Sequence, residues 1–148
     1  MNVIQGPLAV LGRLLLCTIF FTAAVLNKIP HFNGVAAGME KMGIPFPQIA
    51  LVGAIVFLIV GSVSIVLGYK ARFGAVLLLV FLALATYYFH AFWKMDPHTE
   101  VELLAYQNQM AHFMKNVALM GTMLFIMAIG SGPMSLDSVC CKNKAASE

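Results

Sequence analysis

The sequence predicts an all-α integral membrane protein, a bundle of four transmembrane helices. Three observations carry that prediction. Hydrophobic residues make up 61% of the chain and charged residues only 10%, against about 45–50% and about 25% in soluble domains. The apolar residues gather into four runs, 8–27, 49–68, 73–92 and 113–130. Each is close to the roughly 20 residues that a helix needs to cross a hydrocarbon core about 30 Å thick. The runs are continuous rather than alternating, which selects helices over a membrane barrel, the other structure whose backbone groups are all satisfied in lipid.

The local signals place each element in turn. Pro7 suits the first turn of the first span, where a missing N–H costs nothing, and Lys28 and Pro30 end it. Residues 31–48 are too polar for the core. They hold a short amphipathic helix over 35–42 and then Gly43-Ile44-Pro45-Phe46-Pro47, which must be irregular. The second span carries no charge and meets a basic turn at Gly68-Tyr69-Lys70-Ala71-Arg72. The third ends in Tyr87, Tyr88, Phe89, Phe92 and Trp93, aromatic residues of the kind found at headgroup level. Thr99 with Glu102 matches a capping box, so a helix is expected to start there and to enter the membrane near Phe113. Gly130, Gly132 and Pro133 stop it. Residues 1–137 thus read as one transmembrane domain and 138–148 as a short cytoplasmic tail. Arg13 is the only charged side chain before the first run ends, so that run is expected to be retained rather than cleaved as a signal peptide.

Lysine and arginine placement sets the expected orientation. Lys70, Arg72, Lys142 and Lys144 share one side, with Arg13 just inside the core. Lys28, Lys41, Lys94 and Lys115 lie on the other side among Glu40, Asp96, Glu100 and Glu102. The compact Lys70/Arg72 turn puts both termini in the cytoplasm of a cell membrane. The net charge of +3 is small and scattered, so no nucleic-acid partner is expected. Cys17 lies within a span and Cys140 and Cys141 are adjacent, so the three cysteines form no disulfide framework.

The order of short motifs resembles the DoxX family of small four-helix membrane proteins. Gly12-Arg13 opens the first span and Lys28 closes it. Lys41-x-Gly43-x-Pro45-x-Pro47 follows, then Leu67-Gly68 before the basic turn. Lys115-Asn116-x-Ala118-Leu119-x-Gly121 and Gly130-x-Gly132 lead to Ser135-Leu136-Asp137. The resemblance runs from about Val10 to Asp137. It implies a four-helix bundle in a prokaryotic cytoplasmic membrane. Some relatives resemble subunits of thiosulfate–quinone oxidoreductases, and others look like membrane anchors for redox-stress proteins. Many have an acidic residue in the second span, where this chain has Gly61 and Ser62.

Ionisable groups in hydrocarbon cost about 2.5–3.5 kcal/mol each on insertion scales and call for a reason. Two readings are open for Arg13: snorkelling to the cytoplasmic headgroups, or a structural ion pair with Asp137 that joins the first helix to the last. Lys28, His90, His112 and Lys115 share a depth near the opposite interface. His112 and Lys115 are one turn apart, and Asn108 and Asn116 extend their face. Three helices could converge these groups on one pocket, walled by the aromatic residues up to Trp93. Such a pocket suits a quinone head, which needs hydrogen-bond donors and flat apolar walls, or a small oxyanion, which needs cations. Interfacial Lys and His also bind lipid phosphates or cap helix ends, and that plainer reading stays open. Met120, Met123 and Met127 share a face that Cu(I) would accept, but methionine is a common core filler. The spacing of the His residues matches no zinc motif, and no metal site is expected. Gly53, Gly61, Ser64 and Gly68 line one side of the second span, as Thr18 and Thr22 do in the first and Ala118 and Thr122 in the fourth. Small residues at such spacing let helices approach closely.

The leading functional expectation is a membrane subunit linked to quinone-pool redox chemistry, with quinone as the one cofactor in view and the electron-carrying centre in a partner. A non-enzymatic scaffold of a larger membrane complex is the alternative, and a small-molecule transporter the third. The expected partners are the bilayer, a quinone, and other subunits or further copies of the chain.

Overall fold

The computed structural model describes residues 4–139, so the readings of Cys140, Cys141, Lys142 and Lys144 lie outside the described residues. Those residues form five α-helices and no strand. Helix α1 spans Gln5–Thr22 and continues as a π-helical segment, Ala23–Lys28. Helix α2 is Phe32–Lys41, α3 Pro47–Leu67, α4 Ala71–Phe89 and α5 Glu100–Ile129. The α1–π unit, α3, α4 with its trailing turn, and α5 are each long and apolar enough to cross a membrane. An even number of crossings returns the chain to the side it started from.

The boundaries follow the local chemistry. Pro47 starts α3 in its first turn, and Gly68 ends it in the left-handed region at φ 64°. The capping box forms: the Thr99 hydroxyl accepts from the Glu102 N–H, while the Glu102 carboxylate accepts from the N–H groups of Thr99 and His98. From that cap α5 runs unbroken for 30 residues, roughly 45 Å at 1.5 Å per residue and well beyond the hydrocarbon thickness. The amphipathic helix starts at Phe32 rather than Val35. It lays Ala36 and Met39 on Leu51 of α3. Helix α4 stops at Phe89, short of the expected 92, and Phe92–Lys94 form a 3-10 turn.

Packing runs α1–α3–α4–α5, with α2 laid on the outer half of α3. The tightest crossing is α3 on α4 at Gly61 and Gly74. A Cβ on Gly74 would lie 2.8 Å from the Gly61 carbonyl oxygen, and one on Gly61 2.7 Å from Leu78 Cγ. Thus Gly61 and Ser64 are seam positions as expected, whereas Thr18 and Thr22 are not. Their hydroxyls are exposed and donate to Leu14 and Thr18 carbonyls at 2.8 Å, so a bond to the preceding turn replaces a neighbouring helix. Ala118 is exposed as well. Helices α1 and α5 do not pack closely against one another. Phe20 and Met123 belong to one buried core with Cys17, Leu58, Leu78 and Leu82.

One end of the bundle is pinned. Arg13 is 7% exposed, and its Nη2 donates to the carbonyls of Met134 at 2.7 Å and Pro133 at 3.4 Å. Its Nε donates to Ala9 O in its own helix. The expected Arg13–Asp137 ion pair is not formed. Asp137 instead accepts from the Lys70 N–H at 3.0 Å through Oδ1, and its own N–H donates to Gly68 O at 3.0 Å. The helix ends explain the change. Gly130 and Gly132 break α5 and lead into a turn whose Pro133 and Met134 carbonyls a buried guanidinium can reach, while the left-handed Lys70 presents an N–H that a carboxylate can cap. The first helix is joined to the last, but each charge reaches a backbone group rather than the other charge.

Candidate ligand cavity

At the other end of the bundle a cavity of about 720 Å³ lies between the π segment, α2, α3, α4 and α5. Five of the six predicted pocket residues line it: Lys28, His90, His112, Lys115 and Asn116. The sixth, Trp93, does not. It turns outward, half exposed, and packs edge-on against Phe92 and Phe113. The 3-10 turn carries its ring away from the bundle. The aromatic wall is built instead from Phe57 of α3 and Phe81, Tyr88 and Phe89 of α4, with Leu51, Leu84 and Met39 beside them. Asn108 is not among the lining residues.

The polar groups are ordered by one another. The His90 and His112 rings stack, with centroids 5.1 Å apart and planes at 23°. His90 Nδ1 donates to Gln109 Oε1 at 2.8 Å, which leaves Nε2 as its free ring position. Lys115 Nζ donates to His112 Nδ1 at 3.2 Å, which keeps the His112 proton on Nε2. Asn116 is buried, and its amide donates to Thr86 Oγ1 at 3.0 Å. Lys28 lies with Nζ 5.4 Å above the Phe81 ring, a cation–π contact. No carboxylate is among the described residues that line the cavity. Among the described residues no His, Cys, Asp and Glu side chains gather into a metal-holding group. The face-to-face stacking of His90 and His112 also suits no axial pair for a haem iron.

The arrangement therefore offers hydrogen-bond donors at one end of a slot with flat apolar walls. Depth alone allowed the convergence of Lys28, His90, His112 and Lys115 to be read from sequence. The contribution of Phe57 and Phe81 was not legible, since both sit mid-span among other apolar residues. Nor was the π segment. There Ile29 N bonds Ala24 O at 3.0 Å, a five-residue step that accommodates one extra residue and turns Asn27 and Lys28 to the cavity. No residue in Ala23–Lys28 marks that step.

Comparison with known proteins adds a family. The chain matches the DoxX family model over residues 8–91, from α1 to the end of α4. It is similar to the inner membrane protein YphA of Escherichia coli (strain K12), 29% identical over 131 residues, which are 88% of this chain and 89% of that protein. No solved structure matches it. The family match includes Lys28 and His90, while His112, Lys115 and Asn116 lie beyond it on α5.

Proposed function

The chain belongs to the DoxX family, and on that premise we propose that it is a membrane subunit that binds quinone in the cavity at its open end and works with the quinone pool. The observation that carries the proposal is the convergence of Lys28, His90, His112, Lys115 and Asn116 on one cavity walled by Phe57, Phe81, Tyr88 and Phe89. A quinone ring needs donors at its carbonyl oxygens and flat apolar surfaces on its faces, and it arrives laterally through lipid. The two imidazoles bear exchangeable ring protons and can pass them to a reduced ring. The electron-carrying centre belongs to a partner, so the chain is a subunit rather than a self-contained catalyst. By similarity to the inner membrane relative it resides in the cytoplasmic membrane, with the Lys70/Arg72 turn and both termini on the cytoplasmic side.

Extraction with native lipids followed by mass spectrometry of bound small molecules tests the reading. Quinone is expected to co-purify with the wild-type chain, and Lys115→Ala is expected to lower both its occupancy and quinone reduction by membranes. Absence of bound quinone together with unchanged reduction by Lys115→Ala membranes would refute it.

A scaffold role has one observation of its own. The outer turns of α5 expose Val101 (77%) and Leu104 (65%) beyond the bundle, a surface for another subunit. Native-gel migration as a single homogeneous species would count against that role.

A further inference from the structure

We infer that the cavity selects a quinone head carrying negative charge, an ionised ring hydroxyl, over the neutral ring. The inference rests on the quinone reading above and concerns the charge of what that site holds. Its basis is an imbalance. The lining residues include two lysines and two histidines, and no aspartate or glutamate. The only salt bridge among the described residues, His98–Asp96, is on the exposed loop before α5. Lys28 is half-buried, and its near neighbour is the face of Phe81. A ring quadrupole offsets only part of what an ammonium loses on leaving water.

The neighbours sharpen the imbalance. By donating to His112 Nδ1, Lys115 keeps the imidazole proton on Nε2, so both residues present donors. Asn116 spends its amide N–H on Thr86 and adds no charge. Lys28 and Lys115 thus line one cavity from the π segment and from α5, with no carboxylate among the described lining residues. A neutral carbonyl would accept hydrogen bonds from these groups. An oxyanion would accept charge-assisted ones, roughly twice as strong, and would also neutralise the cavity. A lipid phosphate could deliver the same charge, so the test separates the two sources.

The test uses the full chain in nanodiscs of phosphatidylcholine. Two probes share one alkyl tail: a 2-hydroxy-1,4-naphthoquinone, ionised at neutral pH, and its methyl ether, which is neutral. Binding is read as saturable quenching of Trp93, the single tryptophan. The ionised probe is expected to bind about tenfold more tightly. Lys28→Arg is expected to keep that preference, and the Lys28→Met/Lys115→Met double variant to lose it. Equal binding of both probes would overturn the charge inference and leave the quinone reading standing. Failure of both probes to bind would remove the two together. A preference that survives in the double variant would also overturn the inference, as would displacement of the ionised probe by phosphatidylglycerol added to the disc, which would assign the anion to a lipid headgroup.

Discussion

The two ends of the bundle hold comparable cationic groups and use them in opposite ways. At the pinned end, Arg13 donates to three carbonyls and Asp137 accepts from the Lys70 backbone, so the charges close the fold. At the open end, Lys28 rests on an aromatic face and Lys115 on a histidine, with no carboxylate in the cavity. A cation whose donors end on backbone carbonyls stabilises the chain that carries it. A cation with only a ring or an imidazole for company is costly to the apo fold and gains from an added ligand. The contrast separates structural from ligand-facing charge without reference to any reaction.

Four substitutions would break or sharpen it. The largest effect is expected for Arg13→Ala, which strips the Pro133 and Met134 carbonyls of their buried donor. A loss of about 3 kcal/mol is expected, seen as a clear drop in thermal midpoint in detergent, and an unchanged midpoint would dissolve the pinned end as a concept. Next, Gly74→Val forces a side chain against the Gly61 carbonyl. Overpacking of about 1–3 kcal/mol should follow, again read as a lowered midpoint. Lys28→Met should behave in the opposite way to Arg13→Ala. Its midpoint should hold or rise, because an unneutralised ammonium is removed, while co-purified quinone falls about tenfold. A large drop in stability would place Lys28 with the structural cations. The smallest effect is expected for Trp93→Ala, which should leave quinone occupancy within about twofold, since its ring packs outside the cavity against Phe92 and Phe113. Strong loss of occupancy would return Trp93 to the site.

Much of this was legible from residue order, for identifiable reasons. Continuous apolar runs have one low-energy solution in lipid, so the four crossings followed from composition and length. The Thr99/Glu102 cap is a local hydrogen-bond pattern and was readable three residues apart. Shared depth was enough to group Lys28, His90, His112 and Lys115, because charged groups in a membrane protein collect near its surfaces. What sequence could not supply was rotation and separation. The direction of the Trp93 ring depends on α4 ending at Phe89 and on the turn that follows. The partner of Arg13 depends on which carbonyls the turn after α5 presents. The cavity depends on how the π segment, α2, α3, α4 and α5 meet in space. None of these has a signature in spacing.

The π segment has a consequence for how such a site could arise or vanish. Its ring of atoms is one residue wider than an ordinary turn, and that surplus turns Lys28 toward the cavity. Deleting Val25 should remove the surplus residue and return the strip to regular α geometry with Lys28 still facing the chamber, whereas the full-length strip wound as an ordinary helix would carry the ammonium about 100° around the helix axis. A single codon lost there would thus be absorbed, and the charged site would vanish only if the full-length strip rewound as an ordinary helix.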